Sequence, residues 1–157
     1  MNTLLPLDIP RKPHYITIST DHDFFALFQR IAARYPTCFL LESLGEEAHF
    51  SHYSLIGFDP DMCIRAKENT LFVTERHGTQ HTLHDDNPYQ LLANYLPTNT
   101  IAHKYAGGLT GYLNYDCINY FEPSLNVTPH SHFDSFHFGL YLDGLLLDKM
   151  TGELIYF

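Results

Sequence analysis

The chain has no tryptophan, three cysteines, and only nine lysines and arginines against eighteen aspartates and glutamates in 157 residues. About two tryptophans would be ordinary at this length, so that absence is mild. The shortage of positive charge says more. With a formal net charge of −9, histidines counted as neutral, the surface repels phosphate backbones and anionic lipid. Neither nucleic-acid binding nor membrane docking is therefore expected. Cys38, Cys63 and Cys117 are odd in number, far apart, and form no Cys-x-x-Cys. They support neither a zinc ribbon nor a disulfide framework, and they suit a reducing cytoplasm. No run approaches the ~20 apolar residues of a membrane helix. The first thirteen residues place a short apolar stretch ahead of Arg11-Lys12, the reverse of a signal peptide's order.

What is present is a globular composition, 45% hydrophobic and 15% aromatic, with mean hydropathy −0.18. A chain of this size buries roughly 70% of its unfolded surface, so residues 1–157 are expected to form one domain with its own core. Pro6, Pro10 and Pro13 keep the first segment extended. Residues 14–19 are β-branched and alternating, a short strand. Phe24, Leu27, Phe28 and Ile31 recur at helical spacing behind a Thr20-to-Asp23 capping pattern, which predicts a helix over 21–34 stopped by Pro36. Residues 37–43 read as a strand buried on both faces. Gly45-Glu46-Glu47 turns the chain into a strand over 51–58. Two strands flank Glu68-Asn69 as a hairpin, and 79–83 continue the meander. Asn87-Pro88 opens a second helix, with Leu91, Leu92 and Tyr95 as its apolar face and Pro97 as its end. After a loop over 98–106 comes a glycine-punctuated strand over 107–116, with Asn114 in a left-handed or bulged position. Residues 136–147 read as one long strand, and 154–157 as a last, strongly apolar one. A sequence that stops inside such a strand implies either that the strand is tucked into a sheet or that more chain covers it. Seven or eight strands joined by short turns, with two or three helices, give an α+β fold of mainly antiparallel sheets flanked by helices.

Few residue patterns point to chemistry. His77, His81 and His84 have helical metal-ligand spacing, but Gly78 and the surrounding threonines favour strand and turn, which scatter the rings. His130, His132 and His137 lack a distant Cys or Glu partner and read as a polar loop. No Gly-x-Ser-x-Gly marks a hydrolase nucleophile. Gly107-Gly108-x-x-Gly111 lacks the Gly-Lys-Ser/Thr of a phosphate loop; strand glycines instead admit a close backbone or ligand. Glu42-Ser43 stands out, because a carboxylate at the end of an apolar strand needs a partner. Either the strand has surfaced there and the pair caps a turn, or the carboxylate receives a ligand's ammonium.

Three segments, in order, carry a resemblance. They are Leu40-Leu41-Glu42-Ser43, then Tyr53-Ser54-Leu55-Ile56-Gly57, then the run from Gly107 to Asp116, followed by Phe121-Glu122-Pro123 and Phe138-Gly139-Leu140-Tyr141. Together they resemble the N-terminal region of anthranilate synthase component I, a chorismate-utilising enzyme. The pattern departs at His52, where a basic residue is usual, and at Asn114 and Asn119. The close relative aminodeoxychorismate synthase component I, of folate biosynthesis, and a stand-alone amino-acid-binding regulatory module are the alternatives; the Glu-Ser pair after Leu-Leu favours the first reading. The resemblance implies part of an α/β/β/α two-sheet sandwich. It implies a parent lyase of tryptophan biosynthesis that makes anthranilate and pyruvate from chorismate and ammonia. A glutamine amidotransferase subunit would be its partner, with a homo-oligomer as a further option. Magnesium, chorismate and the catalytic residues belong to the C-terminal part, so this chain is expected to hold no catalytic residue, cofactor or metal. It would be the regulatory and scaffolding N-terminal domain. Leu41, Glu42, Ser43, His52, Ser54, Gly108 and Tyr112 are its expected tryptophan-binding residues for feedback inhibition.

Overall fold

The structure is a computed structural model in which residues 13–21, 23–43, 52–93, 96 and 107–157 are described. The expectations for Pro6, Pro10, the 45–47 turn, Tyr95, Pro97 and the 98–106 loop lie outside those residues. Among the described residues are ten strands and two α-helices, in the order β1 (Ile16–Ile18), α1 (Phe24–Ala32), β2 (Cys38–Glu42), β3 (Tyr53–Phe58), β4 (Met62–Lys67), β5 (Thr70–Glu75), β6 (Gln80–His84), α2 (Pro88–Ala93), β7 (Gly108–Leu113), β8 (Phe136–Tyr141), β9 (Leu145–Asp148) and β10 (Glu153–Tyr156). They form two five-stranded sheets, and the strand pairs with an assigned register are all antiparallel. The α+β class is the one the sequence predicts. The described chain divides into two compact units, one of residues 13–60, 107–108 and 141–157, the other of 61–96 and 109–140. Among the described residues no helix is long and apolar enough to cross a membrane.

The first unit holds the sheet β1-β10-β9-β3-β2. Its register aligns Leu40, Ile56, Leu145 and Tyr156 across four strands, and Leu41, Leu55, Leu146 and Ile155 in the next row. Because side chains alternate along a strand, these rows face opposite ways. One face packs Ile56, Leu145 and Leu154 against Phe24, Leu27, Phe28 and Ile31 of α1. The other gathers Leu55, Leu146, Ile155 and Phe157 with Phe39. Helix α1 is shorter than 21–34 because Asp23 itself is the cap, its Oδ1 accepting from Ala26 N at 2.8 Å. Two further expectations need correcting. Strand β2 is not buried on both faces, since it lies at the sheet edge and its side chains are half-buried or exposed. The apolar run 136–147 is two strands in different sheets, β8 and β9, separated at Leu142-Asp143-Gly144. A Cβ at Gly144 would stand 2.6 Å from Ile56 O, so this break needs a residue without one. The last strand, β10, lies between β1 and β9, tucked into the sheet as one of the two sequence readings required.

The second unit holds the sheet β6-β5-β4-β8-β7. The β4–β5–β6 meander is as predicted. Its Lys67–Thr70 hairpin turns through Glu68 at φ 51°, unusual for a residue with a side chain. Ile64, Ala66, Leu71, Val73 and Phe136 form one apolar cluster with Leu92 of α2 and Cys117. Helix α2 starts at Pro88, where Asn87 Oδ1 accepts from Gln90 N at 2.9 Å and caps it. The glycine-rich strand stops at Leu113, and Tyr115–Tyr120 is a 3₁₀ helix. Asn114 is neither left-handed nor bulged: at φ −75° and ψ 159° it is extended, and its Oδ1 accepts from Tyr115 N at 2.9 Å. That short polar side chain caps the turn, which the strand reading overlooked.

Candidate functional site

Strands β2 and β9 end, and β3 begins, at one end of the first unit's sheet. The β2–β3 register sets Glu42 opposite Ser54, and the β3–β9 register sets Ser54 opposite Leu147. Ser54 is wholly buried and donates from Oγ to Glu42 Oε1 at 3.4 Å. The ladder runs one step further, with Lys149 N donating to His52 O at 2.8 Å. That bond brings the Lys149 side chain back over the end of β2. Its Nζ donates to Ser43 O at 2.7 Å and pairs with Glu42 Oε1 at 3.4 Å. The Glu42 side chain is 43% exposed and that of Lys149 26%. The strand has therefore surfaced at Glu42, and the partner its carboxylate required is an ammonium from within the chain.

Four expected residues, Glu42, Ser43, His52 and Ser54, thus meet at this sheet end. His52 also packs edge-on against Tyr53, ring centroids 5.9 Å apart. Leu41 does not join them. The two-residue period turns it to the opposite face from Glu42, where it is 52% exposed beside Leu55 in register. Gly108 and Tyr112 lie on β7, in the other sheet. Gly108 has φ 152°, and the Tyr112 ring sits 6.2 Å from that of His137. Further along β7, a Cβ at Gly111 would run into His137 O, so this glycine serves close strand approach, as strand glycines were expected to.

Sequence reasoning missed Lys149. It follows Asp148 at the end of an apolar run, more than a hundred residues from Glu42, and only the β2–β3 and β3–β9 registers together bring the two close. Its backbone is held by a turn in which Asp148 Oδ1 accepts from Met150 N and Thr151 N at 2.9 and 3.3 Å and Gly152 N donates to Asp148 O at 2.8 Å.

The histidines fall as the strand reading implied. His81 and His84 are three apart on β6, hence on opposite faces. His81 bonds Glu75 at 2.9 Å and His84 bonds Thr70 at 3.1 Å. Among the described residues no group of three His, Cys, Asp or Glu side chains is placed to hold a metal ion. In the second unit a hollow of about 350 Å³ opens between Lys67, Glu68, Asp116, His130 and Ser135. Beneath it Cys117 donates from Sγ to Ser135 O at 3.0 Å. Burial, and then the neighbouring Asp116, push the Cys117 thiol from its ordinary 9.0 to about 11. That is an inert core thiol, not a nucleophile.

No protein-family model matches the chain. Anthranilate synthase component 1 of Leptospira biflexa is 43% identical over 157 residues, 99% of this chain and 33% of that protein. The protein of the same name from Methanothermobacter thermautotrophicus is 36% identical over 132 residues, 84% of this chain and 28% of that protein. The chain thus spans a third or less of the length of these relatives. The crystal structure of anthranilate synthase component I from Streptococcus pneumoniae TIGR4 aligns with a TM-score of 0.49 at 18% identity, covering 73% of this chain and 24% of that one.

Proposed function

We infer the function from one premise: the chain belongs to the anthranilate synthase component I family. On that footing it is the N-terminal part of a lyase that converts chorismate and ammonia to anthranilate and pyruvate, with a glutamine amidotransferase subunit supplying the ammonia. Chorismate and magnesium are handled by the part of the family's sequence that this chain does not span. Its own task is regulatory. It presents a site for free tryptophan at the sheet end that holds Glu42, Ser43, His52 and Ser54, with Leu41 flanking it.

One observation supports this reading most. A carboxylate, a buried hydroxyl and an ammonium converge where β2, β3 and β9 meet. Glu42 offers a negative partner to a ligand's ammonium, Ser54 fixes that carboxylate from below, and Ser43 offers a hydroxyl at the rim. Charge-assisted bonds of this kind are stronger than neutral ones.

A titration of the isotopically labelled chain with L-tryptophan, read by amide NMR shifts, tests the proposal. The chain has no tryptophan of its own, so ligand indole signals stand clear of protein background. Shifts should cluster at Glu42, Ser43, His52 and Ser54, saturate in the millimolar range, and vanish in Ser43→Phe. Uniformly small shifts, or an unchanged response in Ser43→Phe, would remove the site.

A further inference from the structure

The Glu42–Lys149 pair has the form of a receptor for a zwitterion. An ammonium carries three N–H donors. Among the described residues, that of Lys149 reaches two acceptors, Ser43 O at 2.7 Å and Glu42 Oε1 at 3.4 Å. The shorter bond is to a backbone carbonyl, so the group stays in place even when Glu42 takes another partner. The backbone of Lys149 is fixed as well, by its bond to His52 O and by the Asp148-centred turn. Neither charge is deeply buried, so a ligand reaches both without first unfolding the strand ends.

We propose that Lys149 reads the carboxylate of a free α-amino acid whose ammonium is held by Glu42. The inference rests on the effector site argued above and adds a specificity rule to it. A negative and a positive group side by side complement an ammonium and a carboxylate one carbon apart. An amine lacking the carboxylate gains Glu42 but leaves Lys149 unanswered, and it competes with Lys149 for Glu42. A carboxylic acid lacking the amine meets repulsion from Glu42. The site therefore selects amino acids over both classes.

The test compares L-tryptophan with tryptamine, which keeps the indole and the ammonium and lacks the carboxylate, by NMR titration of the full 157-residue chain and its Lys149→Met, Lys149→Arg and Glu42→Gln variants. The wild-type chain should prefer tryptophan by about tenfold, the size of one charged hydrogen bond. Lys149→Met should abolish that preference while tryptamine binds at least as well as before, and Lys149→Arg should retain it. Equal preference in the wild type and in Lys149→Met, with tryptophan still bound, would overturn the role of Lys149 and leave the site itself standing. No binding of either ligand to the wild type, with Glu42→Gln indistinguishable from it, would overturn the site, and the proposal with it.

Discussion

The sheet of β1, β10, β9, β3 and β2 carries an apolar cluster on each face, while the sheet of β6, β5, β4, β8 and β7 carries one. In the second sheet Ile64, Ala66, Leu71 and Val73 point one way. Between them Arg65 and Phe72 point the other, the guanidinium 4.3 Å from the ring centre and 3.6 Å from the Asp134 carboxylate. In the first sheet no such polar face exists along the middle of the strands among the described residues, and charge stands at the strand ends, at Glu42, Asp148 and Glu153, with Lys149 just beyond β9. A sheet apolar on both faces thus leaves its rim as the place where polar recognition is built.

The largest expected effect falls on the single cluster of the second sheet. Phe136 is fully buried, its ring 6.3 Å from that of Tyr89 and 5.6 Å from that of Phe138. Phe136→Ala should destabilise by about 3–5 kcal/mol in urea titration. A loss under about 1 kcal/mol would mean that this cluster is not the unit's core. Next comes Gly111→Ala, whose new methyl meets the backbone oxygen of His137. It should cost about 2 kcal/mol, with loss of amide-exchange protection along β7 as the local sign, and full protection would contradict the close approach.

Smaller, and dependent on pH, is the contribution of Cys117. Its thiol is raised to about 11, and Tyr120 is raised as well, chiefly by burial. A group whose folded value is raised stabilises fully below its unfolded value of about 9. The contribution is lost as pH climbs through 9 toward 11, because the unfolded chain releases the proton first. Unfolding free energy should fall by about 1 kcal/mol between pH 8 and pH 10 on this account, and the fall should shrink in Cys117→Ala. The smallest effect on stability belongs to the rim. Glu42→Gln breaks a partly exposed ion pair and should change stability by only about 0–1 kcal/mol, while removing ligand response. A large loss of stability there would make the rim part of the core and erase the contrast between the sheets.

The same contrast governs what could be read in advance. The one-faced sheet was legible from its turns, since Glu68-Asn69 marks the hairpin and Gly78 the next bend of the meander, and Ile64-Arg65-Ala66-Lys67 alternates ahead of them. Strands that bury both faces show no alternation. Leu145-Leu146-Leu147 therefore merged with Phe136–Tyr141 into one apparent strand, and β2, apolar for four residues, passed for an interior strand although it is an edge. Glu42 and Ser54 were legible by resemblance and Ser54's burial was not, because burial depends on which strand lies alongside. Lys149 was invisible for the same reason, since pairing across a sheet leaves no local mark in a sequence.

Strand β10 lies between β1 and β9, and Thr17 Oγ1 donates to Glu153 Oε1 at 2.6 Å across 136 positions. A ribosome adding ~5–20 residues per second makes β1 first and then needs on the order of 10 s to deliver the strand that β1 must pair with. During that interval Ile16–Ile18 has no β10 to pair with. Protease added to nascent chains of increasing length should cut near Thr17 until the segment past Tyr156 has emerged, and early protection would show β1 sheltered by something else. The first sheet is thus a clasp that closes only when a segment 136 positions downstream of Thr17 has been made, and until then the protein depends on time, or on a chaperone, to keep that clasp open.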